Sequence, residues 1–226
     1  MFFLFCVLLQ GKSSFIRAVS GLWRVGSGEV TWYSKKKTVE DPLRKDTGNA
    51  AIAPADVFFL PQKPYNVMGS LRQQIAYPNI IDDSIPDEAA AAVAVSLRDQ
   101  HMLDILREVQ LETLASRMGG LSAVHDWSKV LSLGEQQRLA FARVCYTKPS
   151  VVFLDEATSA LDLDNERIMY AALKAQNVTY VSVGHRPSLL AYHNKKLVLK
   201  GPGLQPVTVT VTENDCHLSE HDKTNI

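Results

Sequence analysis

Asp155 and Glu156, two carboxylates that close the apolar run VVFLDE, are the residues of this chain best suited to chemistry. Such a run reads as a strand buried on both faces of a parallel sheet. Its acidic end then lies at the carboxyl edge, where open α/β sheets bind ligands. Neighbouring strand residues point to opposite sides, so Glu156 points away from Asp155 and suits polarising a water, as a general base or a water-orienting group. Capping the next helix is the competing reading for any Asp-Glu pair after a strand. A second device stands upstream. Ser132 and Gly134 precede EQQRLAFARVCY, whose Leu139, Ala142, Val144 and Tyr146 fit one helix face. Free N–H groups, the helix dipole and a hydroxyl converge there on an anion. The alternative is an N-terminal cap built by Ser132 with Glu135 in the first turn.

Taken together, LSLGEQQRLAFARVCYTKPSVVFLDEATSALD resembles the signature helix and Walker B strand of an ABC-type ATPase, and the combination outweighs the capping alternatives. The resemblance implies a P-loop NTPase of the α/β class, with a parallel core sheet and an α-helical subdomain. By the same resemblance Asp155 holds Mg²⁺ against the phosphates of ATP and Glu156 acts on the attacking water. Ser132, Gly134 and Gln136 of the signature face the nucleotide of a partner domain. Two more pieces stand where the family has them. DVFFLPQKPYNV carries Gln62 after an apolar run, resembling the Q-loop whose glutamine contacts the metal ion and lytic water. TYVSVGHRPSLLAYH places His185 after a third apolar run, where the family has a switch histidine that contacts the γ-phosphate. Outside that setting, each would be an ordinary loop residue. Asp162 in SALD matches the D-loop at the dimer seam, and it also reads as the cap of the helix that follows.

The amino terminus departs from the pattern. A P-loop has the form G-x-x-x-x-G-K-[ST], with glycines that let successive N–H groups wrap phosphates. Gly11, Lys12, Ser13 and Ser14 supply its second half and open a helix FIRAVSGLW, but Cys6 takes the first glycine position and Val7, Leu8, Leu9 and Gln10 fill the loop. Apolar and branched residues resist positive φ. Lys12 can still reach the β and γ phosphates and Ser13 can still ligate Mg²⁺, whereas the amide cradle is incomplete. Trp23 and Trp32 follow the loop and read as core or surface aromatics rather than the adenine-stacking residue the family carries upstream. Residues 1–10, MFFLFCVLLQ, lack the basic flank and cleavage site of a signal peptide. They also fall short of the roughly 20 apolar residues of a membrane span. A strand like the one before a P-loop, or foreign sequence joined to a truncated domain, remains, and we expect a truncated or mis-assigned start.

Composition is that of ordinary globular material: 226 residues, 46% hydrophobic and 21% charged. Lysine plus arginine and aspartate plus glutamate each number 24, so net charge is zero and no electrostatic case exists for nucleic acid. The basic run Lys35, Lys36, Lys37 reads as a solvated turn. Cys6, Cys145 and Cys216 form no metal-ligand pattern and point to a reducing compartment.

Residues 11–226 therefore read as one ATPase domain. It comprises the P-loop helix, a strand near Val30 to Tyr33, a long charged loop through Pro54 and the Q-loop strand. A helical subdomain follows over about 64–130, then strand and helix alternation from 131 to 200. The tail begins as an alternating strand, PVTVTV, and ends polar. Asp126 and Trp127 before the signature, the signature's Leu133 in place of a glycine, and GHRPSLLAYH are similar to subfamily D transporters of peroxisomes and their plastid and bacterial relatives. That resemblance implies ATP-driven transport, of fatty acids or their coenzyme A esters in the peroxisomal branch and of peptides or cobalamin in bacterial relatives, and the choice of cargo stays open. It also implies a second ATPase domain, identical or not, that completes each site, and a transmembrane domain absent from this sequence that meets the helical subdomain. The ATPase would then face the cytosol or stroma at a peroxisomal or plastid membrane. Two alternatives stand: a nucleotide-responsive regulatory module that no longer hydrolyses, on account of the Walker A loop, and a soluble ABC ATPase without a transport role.

Overall fold

Short β-branched and aromatic runs become strands in this chain, and the longer amphipathic stretches between them become helices. The structure, a computed structural model, describes residues 2–6, 12–20, 57–79, 81, 89–200 and 208–213. In chain order the elements are β1 (Phe2–Cys6), α1 (Lys12–Val19), β2 (Val57–Leu60), α2 (Leu71–Ala76), α3 (Ala89–Glu108), α4 (Leu114–Met118) and α5 (Trp127–Val130). Then come α6 (Leu133–Thr147), β3 (Val151–Asp155), α7 (Leu163–Ala175), β4 (Thr179–Val183), a 3₁₀ helix (Pro187–Tyr192), β5 (Lys195–Lys200) and β6 (Thr208–Glu213). They fall into two compact units: Met1–Val30 with Phe153–Glu156 and Tyr180–Ile226, and Thr31–Val152 with Ala157–Thr179.

The first unit is built on a sheet with strand order β3-β4-β1-β5-β6. The amino-terminal strand lies inside it. β1 runs parallel to β4, with Phe2 opposite Val181, and parallel to β5, with Cys6 opposite Leu199. Parallel neighbours need long crossovers, which is why three strands so distant in sequence lie side by side. β6 closes the edge antiparallel to β5, from Lys195 opposite Glu213 to Lys200 opposite Thr208. Phe2–Cys6 is thus a strand of the sheet. Helix α1 starts at Lys12, three residues before the expected Phe15.

The second unit is helical, with β2 at its start, and α6 is its centre: it packs against α2, α3 and α7. Leu139, Phe141, Ala142 and Val144 have no exposed surface. Leu139, Phe141 and Val144 each contribute about 2 kcal/mol on burial, and the Ala142 methyl less. Polar ties supplement this core. Arg72 of α2 grips Asp99 of α3 through two bonds of 2.9 and 2.7 Å, and also donates to Ser122 at 3.2 Å. Arg143 of α6 donates to the Gln74 carbonyl at 2.8 Å, and Trp127 to the Gly69 carbonyl at 2.8 Å. The long helical stretch after residue 89 is two helices, because the chain turns at Gln110, φ 58°, where the Leu111 N–H closes α3 on Leu106. The expected strand near Val30 to Tyr33, the loop to Pro54, Trp23, Trp32, Lys35 to Lys37 and residues 7–11 lie outside the described residues.

Candidate functional site

Asp155 is the half-buried last residue of β3, and the backbone turns immediately after it. Glu156 adopts φ 49°, the left-handed region that a Cβ makes costly by about 1 kcal/mol or more. Its N–H donates to the Val183 carbonyl at 2.9 Å, so the turn is pinned to the end of β4. His185 stands two residues beyond that anchor. Its Nδ1 is 3.5 Å from Glu156 Oε1, with the ring 66% exposed and the carboxylate 26% exposed. Two residues picked out separately in the sequence are thereby neighbours: a partly sheltered carboxylate and an open imidazole. The contact is an ion pair when the ring is protonated.

A buried histidine seats the segment that follows. His193 Nδ1 lies 2.6 Å from the Leu189 carbonyl and Nε2 2.8 Å from Ser182 Oγ. A carbonyl only accepts, so Nδ1 carries the proton and Nε2 accepts from the serine hydroxyl. Burial pushes this imidazole down to about 4, against the opposing pull of the Leu189 carbonyl. The Tyr180 hydroxyl donates to the Tyr192 carbonyl at 2.5 Å, and the Tyr180 and His193 rings meet edge to face. The 3₁₀ helix after His185 is in this way fastened to β4. Sequence reading passed over His193; its one signal was a polar residue directly after the apolar run Leu189 to Tyr192.

Of the amino-terminal residues, Gly11 lies outside the described residues, Lys12 and Ser13 open α1 without described side chains, and Ser14 is half-buried. α1 contacts β1 within the first unit.

The second unit carries Gln62, Ser132, Gly134, Gln136 and Asp162. Ser132 caps α6. Its Oγ accepts from the Glu135 N–H at 3.2 Å, and the Glu135 carboxylate accepts from the Ser132 N–H at 2.9 Å, a reciprocal capping box. Burial works against the charge on Glu135, yet bonds from Arg117 and Ser132 hold its carboxyl below the usual range. Asp162 likewise caps α7, accepting from the Asn165 N–H at 2.7 Å, and that bond lowers its pKa. Ser132 and Asp162 are both exposed. Gly134 makes close packing possible, since a methyl group there would stand 3.3 Å from the Ala160 carbonyl oxygen. Gln136 is buried, accepts from Asn66 at 3.0 Å and donates to the Leu131 and Ser128 carbonyls at 2.9 and 3.2 Å. Gln62 is exposed just after β2, and its carbonyl accepts from Gln137 at 3.0 Å. Gln137, which sequence reading did not single out, shares a helix face with Phe141 and Val144. A polar residue on an apolar stripe was its signal. Among the described residues, no group of three or more His, Cys, Asp or Glu side chains is arranged to hold a metal ion.

The ABC transporter family model matches residues 10–159. ABC transporter D family member 2, chloroplastic, of Arabidopsis thaliana is 41% identical over 201 residues, 83% of this chain and 28% of that protein. The lysosomal cobalamin transporter ABCD4 of Mus musculus is 38% identical over 200 residues, 88% of this chain and 29% of that protein. The chain therefore spans under a third of the length of these relatives. Among solved structures, a bacterial Atm1-family ABC exporter with ATP bound superposes with a TM-score of 0.60 at 20% identity, over 88% of this chain and 32% of that one. That likeness is one of fold.

Proposed function

This chain belongs to the ABC transporter family, and from that premise we propose that it binds ATP and hydrolyses it in a composite site shared with a second ATPase domain. The observation that carries the reading is the approach of His185 to Glu156 at 3.5 Å, beside the anchored turn that follows Asp155. Glu156 accepts a proton from the attacking water or orients it, and His185 holds the γ-phosphate. Lys12 neutralises phosphate charge and Ser14 flanks it, next to Gly11. Magnesium is a hard cation that takes oxygen ligands, and the candidate donors, the Asp155 carboxylate, Ser13 hydroxyl and Gln62 amide oxygen, fit that preference. When bound, it would offset charge building on the phosphates. Ser132 and Gly134, with Gln136 behind them, serve the nucleotide of the partner domain, and Asp162 faces the seam.

In a longer chain or with another subunit, the closing and opening of the paired domains would drive a transmembrane domain, with the ATPase on the cytosolic or stromal side of a peroxisomal or plastid membrane. Among the described residues no helix is long and apolar enough to cross a membrane. Fatty acids or their coenzyme A esters are the proposed cargo. The cobalamin named for one relative marks the competing chemistry. Phosphate release by the purified chain with Mg·ATP, set against Glu156→Gln, tests the reading: we expect at least a hundredfold difference. The Cys6 to Gln10 stretch, without the glycines of a P-loop, favours a second reading, a nucleotide-binding module that does not hydrolyse. Equal release from chain and variant, with ATP still bound, would establish that one instead.

A further inference from the structure

Gln137 has no exposed surface, and its amide makes three bonds to two separate stretches of chain in the second unit. Nε2 donates to the Gln62 carbonyl at 3.0 Å and to Ser159 Oγ at 3.2 Å, while Oε1 accepts from the Ala160 N–H at 3.0 Å. Both amide protons and one oxygen lone pair are thereby used, which no aliphatic side chain of similar volume could do. Gly134 approaches Ala160 as well, and a Cβ there would stand a tight 3.3 Å from the Ala160 carbonyl oxygen. One turn of α6, from Gly134 to Gln137, thus grips the peptide two residues before Asp162. The same turn holds the backbone of Gln62.

We propose that Gln137 is a positioning residue for ATP hydrolysis, tying the Gln62 loop to the segment that ends in Asp162 so that a displacement of either is felt by the other. This rests on the assignment of Gln62 and Asp162 to the site. A buried amide is retained at a cost unless all its partners are supplied, and packing alone would be served by Leu or Met. One bond on each side runs to a backbone atom, the Gln62 carbonyl and the Ala160 N–H, so the link survives changes in the side chains of Gln62 and Asp162. That permits a mutant cycle through those two residues.

In the full chain, the fold-losses in kcat of Gln62→Ala and Asp162→Ala are expected to multiply to a product at least fivefold away from the loss of the double variant. In a Gln137→Met background they should multiply to within twofold. Gln137→Met alone should lower kcat at least tenfold while KM for ATP stays within threefold. A cycle with the same coupling in both backgrounds, or a kcat within twofold of the original, overturns the proposal; a purely structural role would leave the coupling unchanged. If the original chain releases no more phosphate than Glu156→Gln, the ATPase reading fails separately, and amide hydrogen exchange decides the role of Gln137. Ser159→Ala, which also serves if Gln137→Met does not fold, should then raise exchange across residues 62–67 at least tenfold relative to α3. Unchanged exchange there overturns the link.

Discussion

Glu156 is held in a left-handed backbone conformation that its side chain disfavours, and the Val183 carbonyl is what holds it there. Strain of this kind persists where surrounding structure over-determines it, and here the effect is to swing one carboxylate away from the line of Asp155 toward His185. Ser132 and Asp162 carry two readings without conflict: each caps a helix through one oxygen while remaining exposed. His193 offers a measurement independent of catalysis. Its pKa in the fold, about 4, lies below the ordinary 6.5, so the unfolded chain takes up the proton first. Its contribution to stability is complete above pH 6.5 and is lost as pH falls toward 4, about 3 kcal/mol in all. Urea unfolding at pH 7 and pH 4.5 should show this loss, and His193→Asn should flatten it; an unaltered difference in the variant would refute the assignment.

Helix α6 does most of the positioning. Its amino end presents Ser132 and Gly134, its first turns carry Gln136 and Gln137 inward, and Arg143 near its far end is buried so thoroughly that its pKa drops to about 10. The helix stops at Lys148, an exposed residue with φ 48°. Glycine suits that conformation, so Lys148→Gly should raise stability by about 1 kcal/mol, read as a higher urea midpoint with an unchanged slope. A lowered midpoint would mean that the lysine side chain holds the helix end. The limits of α6, α7, β3 and β4 could be read closely from apolar period and caps, because those signals are local. The break at Gln110 could not, since nothing in that polar stretch distinguishes a turn from one more helical repeat.

Two compact units divide the proposed machinery between them: the first holds α1, Asp155, Glu156 and His185, the second the signature residues, Asp162 and Gln62. In the proposed cycle, the first serves this chain's own nucleotide and Ser132 and Gly134 serve the partner's. A composite site of that design requires a second copy or a homologous domain. Blocking turnover should therefore trap the pair: Glu156→Gln with Mg·ATP is expected to elute at twice the monomer mass in size exclusion, and the same sample without nucleotide at the monomer mass. A monomer under both conditions counts against shared sites.

The linear pattern of this chain sufficed to name its family and to single out the residues proposed for phosphate chemistry, because the acidic strand end, the small residues before α6 and the histidine after β4 each announce themselves within a few positions. Contact across the sheet did not. That β1 lies between β4 and β5, that Glu156 turns left-handed to meet His185, and that Gln137 ties Gln62 to Ala160 all depend on residues 20 or more positions apart being brought to hydrogen-bonding distance. Backbone groups and buried amides look alike in a sequence, and packing alone selects which of them find partners.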